Sequence, residues 1–231
     1  LEYKQYGEQW TEIFDTESSD RAFEEEVMLA GFANANVKAE GQGVQFDDAQ
    51  ETFTARYTNE TIALAFAITE EAIEDNLYDR LASRYTKALA RSMANTKQVK
   101  AAAVLNNGFN ANFAGGDGVA LFATNHPTIA GTFSNELAVA SDLNETSLEQ
   151  ALIDIAAMTD ERGLKIASRG MKLIIPSALQ FTADRLMKSE GRTGTADNDI
   201  NAVKNMGMIP EGYTVNHFLT SNKKWFIKTD V

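Results

Sequence analysis

One long helical pattern constrains the fold of this chain more than any other feature of its sequence. Between Thr69 and Asn107 neither Gly nor Pro interrupts the chain, and apolar residues recur at three- and four-residue steps, as on one face of a helix. These residues are Ile73, Leu77, Leu81, Tyr85, Ala88, Leu89, Met93, Val99 and Ala103. Thr69 is a suitable N-cap, and Asn106 to Gly108 predict a left-handed stop. A helix of this span is roughly 58 Å long. Such a rod indicates an extended scaffold that joins separate lobes.

The charges of the chain are unevenly distributed. The net charge is −12, of which −10 falls in residues 1–68, +1 in residues 69–107 and −3 in residues 108–231. Within the long helix five acidic residues precede six basic ones, an order that suits the helix dipole. An acidic surface repels phosphate, so specific nucleic-acid binding is disfavoured. The charge is compatible with a wall that encloses nucleic acid without sticking to it.

Several other classes of protein are excluded by composition. No apolar run approaches the ~18 residues that a membrane-spanning helix needs. Cysteine is absent, which excludes disulfides and thiolate chemistry. The chain starts at Leu1 and stops inside a strand-like run, so we expect a fragment or a processed product.

A second helix is predicted before the rod, from Ser19 to Leu29. Phe23, Val27 and Met28 are its candidate core residues. The adjacent glutamates, residues 24–26, resemble a metal-binding cluster, but three consecutive carboxylates on a helix point in different directions. We interpret them as a solvated face.

From Gly41 the apolar period changes to two, which is typical of half-buried strands. The alternating residues are Val44, Phe46, Phe53, Ala55, Tyr57, Ile62, Leu64, Phe66 and Ile68. Residues 47–50 predict a turn. The pattern indicates an extended hairpin over residues 41–68, which is marginally stable unless it lies on something else. The hairpin could pack on a neighbouring subunit or fold back onto its own domain, and the sequence is compatible with both.

The second half predicts an α+β lobe. We expect helices at residues 147–159, 177–189 and 200–206, an exposed loop at 190–199, and a strand at 171–175. Ser147 and Gln150 predict a capping box for the first helix, and Gly163 its end. Strands at 213–219 and 225–229 predict a terminal hairpin.

The sequence offers no enzyme site. The two histidines, His126 and His217, fall in different lobes, and no Gly-x-Ser-x-Gly elbow frames a serine. We expect His126 to brace a loop by hydrogen bonding and His217 to lie in a strand. The glycine cluster at 115–118 lacks the Lys-Ser/Thr of a phosphate loop and predicts a turn. We therefore predict no catalytic residues, no cofactor and no metal.

The layout and several local motifs resemble the major capsid proteins of tailed bacteriophages. The matching motifs are RAFEE at 21–25, FTARYT at 53–58, ITEEAIEDNLYD at 68–79, LF at 121–122 with HP at 126–127, DERGLK at 160–165, RTGTADNDIN at 192–201 and WFIKTD at 225–230. They span almost the whole chain.

The resemblance implies an α+β protein with the Hong Kong 97-type fold. Residues 1–40 would form an N-terminal arm, 41–68 the hairpin called the E-loop, 69–146 the peripheral domain with its spine helix, and 147–231 the axial domain. Family members continue with further strands of the peripheral domain, so we expect both domains to be truncated here.

Site residues follow from the same resemblance. The E-loop would lie on a neighbouring subunit, and a second loop would meet its copies at the capsomer axis. The implied residues are Val44, Phe46, Phe53, Arg56 and Tyr57 in the E-loop, and Arg192, Thr193 and Asp197 in the axis loop.

The function implied is that of a structural protein of the virion, not an enzyme. It would self-assemble as hexamers and pentamers into the icosahedral head of a tailed phage or prophage, in the cytoplasm of the bacterial host. It would enclose DNA without sequence-specific binding, with scaffolding and portal proteins as partners and no membrane contact. The alternatives are an encapsulin-like compartment shell, a hydrolase on the α+β lobe, and a monomeric module that adheres through the hairpin.

Some relatives join subunits by an isopeptide bond between an E-loop lysine and a neighbour's asparagine. Residues 41–68 contain no lysine, and Arg56 is their only basic residue. Lys38 is expected at the foot of the hairpin, too far from its tip to reach a neighbour. We therefore expect no covalent link through this loop, and cohesion from noncovalent overlap and a decoration protein.

Overall fold

The computed structural model describes residues 7–74, 78–192 and 199–231. The helices are α1 (Glu70–Glu74), α2 (Tyr78–Asn106), α3 (Glu145–Ala156), α4 (Gln180–Lys188) and α5 (Ala202–Met206). The strands are β1 (Phe23–Ala30), β2 (Gln50–Thr58), β3 (His126–Thr128), β4 (Gly131–Phe133), β5 (Gly170–Ile175), β6 (Tyr213–Val215) and β7 (Phe226–Thr229). Single 3-10 turns occur at Gln9–Glu12, Ala111–Phe113 and Ser177–Leu179. None of the helices in the described ranges has the length and hydropathy to cross a membrane.

The long helix is present. The 29-residue α2 follows the short α1, and residues 75–77 between them lie outside the described ranges. The helix ends at Asn106, but the predicted left-handed stop is wrong, because Gly108 does not adopt a positive φ. The Asn106 amide instead donates to the Phe218 carbonyl at 3.1 Å and accepts from the Thr220 N–H at 2.9 Å. A side chain thus fixes the helix end to the second half of the chain.

The predicted apolar stripe of α2 is not buried within one subunit. Tyr85 is 47% exposed, Val99 is 48% exposed, and residues 83–88 are all exposed. The face that is buried carries Gln98, Ala102 and Leu105. The reason is that only the last turns of α2 reach a core. The side chains of Leu77 and Leu81, also in the predicted stripe, lie outside the described part of the chain.

The residues before the rod form strands in a different pairing from the one predicted. The expected helix at 19–29 is wrong, since Phe23–Ala30 is strand β1, and it pairs antiparallel with β2 from Phe23↔Thr58 to Ala30↔Gln50. Val44 and Phe46 are not in a strand, and residues 59–69 have no regular secondary structure. The pairing of β1 satisfies the ladder hydrogen bonds of β2, which a lone strand would leave open.

The second half has a three-stranded sheet in the order β6-β5-β7. β5 pairs parallel with β6 and antiparallel with β7, so the predicted terminal hairpin of β6 and β7 is wrong. Leu173 and Ile175 of β5 are fully buried, and burial on both faces favours the central position for this strand. The predicted strand at 171–175 and the helix at 177–189, which includes one 3-10 turn, are confirmed.

Helix α3 begins earlier than predicted. Asn144 is its N-cap and Ser147 is the third helical residue, and the two exchange the side-chain and backbone bonds of a capping box. The helix ends at Ala156, and Gly163 lies instead in a later turn with φ +83°. Of the predicted buried stripe, Leu148, Leu152 and Ile155 are buried.

Two hydrophobic cores hold the subunit together. The larger one lies between the sheet and its helices, and contains Leu143, Leu148, Leu152, Leu173, Ile175, Ala183, Leu186, Val203 and Ile209. The smaller one contains Ile13, Leu105, Ile174 and Phe226. It brings together the N-terminal segment, the end of α2 and the sheet, so these distant parts of the chain are packed as one unit.

We expect a Gly108→Ala substitution to destabilise the subunit by about 1–3 kcal/mol, the typical cost of overpacking. A Cβ at this position would lie 2.6 Å from the Phe122 ring, which packs on the smaller core. Urea denaturation followed by circular dichroism measures the loss. Gly43→Ala is the matched control, because nothing lies within 4 Å of its added Cβ; it should stay within about 0.5 kcal/mol of wild type. Equal stability of the two variants would contradict the packing at Gly108.

Candidate assembly surfaces

The hairpin is longer than the sequence predicts and turns at a different place. Beyond the last strand pair, the Ala33 N–H donates to the Asp47 carboxylate at 2.7 Å, and the Asn36 amide donates to the Gln45 side chain at 2.7 Å. The Gln42 N–H then bonds the Ala39 carbonyl at 3.2 Å, and Gly41 has φ +81°. These contacts continue the antiparallel register of β1 and β2. The whole segment 23–58 is one excursion with its tip at residues 39–42, not a hairpin that begins at Gly41.

Lys38 lies next to this tip, and its predicted position at the foot of the hairpin is wrong. Residues 31–37 separate it from β1, and residues 39–49 separate it from β2. The expectation of no lysine-mediated covalent link depended on that position. The structure therefore removes the distance argument, although residues 41–68 still lack a lysine.

An arginine from the second half of the chain holds the middle of the excursion. The Arg162 guanidinium donates to the Gly31 carbonyl at 3.1 Å and to the Asp48 carbonyl at 2.8 Å, one on each limb. Its side chain is only 13% exposed and lies 3.9 Å from the Asp47 carboxylate. The turn that carries Arg162 is itself fixed, because Asp160 accepts from the N–H groups of Arg162 and Leu164. Arg162 belongs to the DERGLK motif, but no role was predicted for it.

The glycine turn at residues 115–118 supports the excursion nearer its foot. A Cβ at Gly116 would lie 2.9 Å from the Thr54 carbonyl oxygen and 3.0 Å from the Ala55 Cα. Backbone therefore contacts backbone here, and glycine permits it. The predicted turn is confirmed. Its close contact with the backbone of β2 explains why residue 116 is a glycine.

His126 braces this turn, as predicted. Its Nδ1 lies 2.5 Å from the Asp117 carboxylate and its Nε2 lies 3.2 Å from the Asn135 side-chain oxygen. Asn135 in turn accepts from the Ala123 N–H at 2.9 Å and donates to the Leu121 carbonyl at 2.7 Å. The network fixes Asp117 and with it the turn that touches β2.

The predicted E-loop residues fall into two groups. Phe53, Arg56 and Tyr57 lie on β2, where Arg56 donates to Glu25 across the pair at 2.7 Å and stacks over Phe23 at 4.4 Å. Tyr57 is more than half exposed. These residues belong to the strand-paired foot of the excursion. Their contact with a neighbour stays a prediction.

The second group lies in the distal segment and includes Val44 and Phe46. Every residue from 31 to 49 is exposed, and the apolar ones are among the most exposed of the chain. Phe46 is 96% exposed and Val37 is 100% exposed. Large exposed apolar patches are typical of surfaces that interact with another molecule. We call residues 29–46, with Leu29, Phe32, Val37, Val44 and Phe46, the distal apolar surface.

The predicted axis loop is described only at its base. Arg192 donates to the Glu145 carboxylate at 2.9 Å, and this carboxylate raises the pKa of Arg192. Gly191 and Ile200 form a β-bridge across the loop, and the buried Asn201 donates to the Leu186 and Ser189 carbonyls. The base is thus firmly tied to α3 and α4. Thr193 and Asp197 lie outside the described residues.

The other candidate residues, His217 and the glutamates at 24–26, contact residues of their own chain. His217 follows β6 and does not lie in it, and Gln9 contacts both its ring and its backbone, at 2.9 and 3.0 Å. Glu24, Glu25 and Glu26 are on a strand and not a helix, with Glu25 paired to Arg56. Within the described ranges, no group of three or more His, Asp or Glu side chains could hold a metal ion.

Comparisons with known proteins agree on one kind of relative. A family model described as phage capsid protein matches residues 50–231. The structure of the bacteriophage JBD30 capsid is similar with a TM-score of 0.66 and 14% identity, over 87% of this chain and 88% of that chain. A second structure is the JBD30 capsid decorated with minor capsid protein trimers. It is similar with a TM-score of 0.62 and 12% identity, over 93% of this chain and 95% of that chain. At these identities the likeness shows the fold. No curated protein sequence matches the chain.

We expect Arg162→Ala to loosen the distal half of the excursion without unfolding the subunit. Two hydrogen bonds from a charged group, of about 1.5–3 kcal/mol each, are lost, so hydrogen exchange of residues 31–49 should become more than about tenfold faster. Exchange followed by mass spectrometry measures it, with the exposed Arg169→Ala as control. Unchanged exchange in both variants would show that Arg162 does not hold the excursion.

The same segment should loosen in acid. The Ala33 N–H lowers the pKa of the Asp47 carboxyl; partial burial opposes this shift and Arg162 adds to it. A carboxyl with a lowered pKa stabilises the fold above its ordinary pKa, and the contribution is lost as the pH falls through the folded value. The protection of residues 31–49, measured as their exchange rate relative to the intrinsic rate at the same pH, should therefore fall below about pH 4. In Asp47→Asn this step should disappear, and a step of equal size would contradict the role of Asp47.

Proposed function

The chain belongs to the phage capsid protein family, whose model matches residues 50–231, and from this premise we propose which surfaces build the shell. It is a structural major capsid protein of a tailed-phage head, located in the virion, and it assembles with copies of itself. Its fold is the Hong Kong 97-type fold, with the excursion 23–58 as the E-loop, α2 as the spine helix and the β6-β5-β7 sheet as part of the axial domain.

The distal apolar surface is the element that overlaps a neighbouring subunit. The observation that carries this proposal is its exposure: Val37 and Phe46 contact almost nothing in their own chain, although the limbs that present them are held by Arg162 and Gly116. Burying such side chains contributes about 25 cal/mol per Å² of apolar surface. A limb that is fixed while its apolar groups are exposed is preorganised for a partner.

The domain division is proposed on the same premise, with one change of boundary. The E-loop comprises residues 23–58 rather than 41–68, the peripheral domain surrounds α2, and the axial domain surrounds the larger core. The axial domains meet at capsomer axes through the loop between Arg192 and Ile200, whose base is fixed to α3 by the Arg192–Glu145 pair. The shell consists of hexamers and pentamers of this subunit.

Other molecules complete the head. Minor capsid protein trimers decorate the JBD30 capsid, and we propose that a minor protein likewise decorates this shell and contributes to its noncovalent cohesion. Scaffolding and portal proteins are the expected partners in assembly, and DNA is the content. The rival is an encapsulin-like compartment that encloses protein. Electron microscopy of particles from infected or expressing cells distinguishes DNA-filled heads from protein-filled shells.

We predict that Phe46→Ser prevents closed shells while leaving the subunit folded. The side chain is 96% exposed in the subunit, so its loss should change the free energy of unfolding by no more than about 0.5 kcal/mol. Electron microscopy counts the particles and urea denaturation checks the fold. Val139→Ser, at a 75% exposed position in another loop, is the matched control. Closed shells from Phe46→Ser in normal yield would exclude this part of the E-loop as an essential contact.

A further inference from the structure

The strongest concentration of positive charge lies on α2, in a chain whose net charge is −12. Between Arg80 and Gly116 there are six basic residues and no acidic one. The two nearest the end of α2 are neutralised within the subunit, since Lys97 lies 3.9 Å from Glu8 and Lys100 pairs with Glu60. Arg84 and Arg91, in the preceding turns, are exposed, and the proposed E-loop and axis contacts do not use them.

Arg84, Lys87 and Arg91 form a row that we call the basic row. All three are exposed. Arg84 and Arg91 are seven residues apart, which places them on one helix face about 10.5 Å apart along the axis, with Lys87 between them. Neither arginine forms an ion pair with a residue in the described part of the chain. Arg84 and Arg91 therefore present positive charge to whatever lies beside α2.

The neighbouring residues on this face indicate which kind of molecule binds there. A shallow groove alongside the row is lined by Lys87, Ala88, Arg91, Ser92 and Asn95, with no aromatic or large aliphatic side chain. The core of a protein–protein interface is rich in such side chains and poor in Lys. Arg, Lys, Ser and Asn are instead the donors that contact the phosphates of nucleic acids without reading their sequence.

We propose that the basic row is the inner surface of the shell and binds the phosphate backbone of packaged DNA without sequence specificity. The inference rests on the proposed function, which supplies the DNA, and adds to it the face of the subunit that points inward. A basic row on the inner surface also explains how a chain of acidic composition can enclose DNA. The acidic residues concentrate in the N-terminal part of the chain, residues 1–68, and α2 carries no acidic residue after Asp79, so the general repulsion of phosphate is interrupted along this helix.

Binding by unassembled subunits tests the charge argument. Fluorescence anisotropy with a short labelled duplex should give a logarithmic salt dependence whose slope falls by about 0.9 per lost phosphate contact. Arg84→Gln/Arg91→Gln should reduce the slope by about 1.8. Lys165→Gln/Arg185→Gln removes the same charge from exposed positions outside α2 and should leave the slope unchanged. Two unrelated duplex sequences should bind equally.

An unchanged slope in the α2 variant, an equal reduction in the control variant, or no binding by the wild type would overturn the inference. Electron cryomicroscopy of wild-type DNA-filled heads tests the orientation without any variant. DNA density should lie against Arg84 and Arg91. A basic row that faces outward, or that is covered by an acidic segment of a neighbouring copy, would also overturn it. If no particles form, the proposed function fails, and the binding measurement still decides whether the row binds DNA.

Discussion

The subunit depends on the joint at the C-terminal end of α2. There Leu105 packs with Ile13, Ile174 and Phe226 in the smaller core, and the Asn106 side chain bonds the backbone that follows β6. Lys224 adds a contact to the Asn106 carbonyl at 3.3 Å. Because residues 83–88 of α2 are exposed, the packing at these last turns is, among the described residues, what sets the direction of the helix. A small apolar core and one amide thus fix a rod relative to the lobe that it joins.

This joint leaves two surfaces of different chemistry available to other molecules. The distal apolar surface at the end of the E-loop is suited to another protein, because its exposed groups are aliphatic and aromatic. The basic row on α2 is suited to phosphate. The joint holds α2, and the Arg162 and Gly116 contacts hold the excursion on the same body, so the two surfaces have a defined arrangement in the unassembled subunit. A single chain can therefore provide both the lateral contacts and the lining of a shell.

The sequence predicted the elements of this fold better than their partners. The spacing of apolar residues indicated α2, β5 and α4, because helical and strand periods are local properties. Phe23 and Val27 are four residues apart and suggested a helix, but β1 pairs with a strand that begins 20 residues after it ends, and such nonlocal pairing overrides local pattern. Likewise β6 and β7 are close in sequence, yet the more buried β5 lies between them.

In the candidate site, too, local features were predictable from the sequence and long-range contacts were not. An extended excursion before the rod was predictable from the alternation of Phe53, Ala55 and Tyr57, but its tip was not. The turn predicted at residues 47–50 is wrong, because these residues lie along one limb and the chain turns at residues 39–42. Arg162 and Gly116 act on residues more than sixty positions away, and no periodicity reports contacts of that range. The role of His126 was accessible because its partners Asp117 and Asn135 are only nine positions distant in either direction.

The polar attachment of the E-loop through Arg162 has a geometric consequence. Closing a curved shell from identical chains requires that the same arm meet its neighbour at more than one angle, flatter in some places and steeper in others. Two hydrogen bonds from one charged guanidinium cost about 3–6 kcal/mol to release, which is less than the separation of a packed apolar core. The Arg162 hydrogen bonds can therefore break without unfolding the rest of the subunit. One sequence can adapt to unequal curvature by breaking these two hydrogen bonds, while the joint at α2 holds the rest of the subunit together.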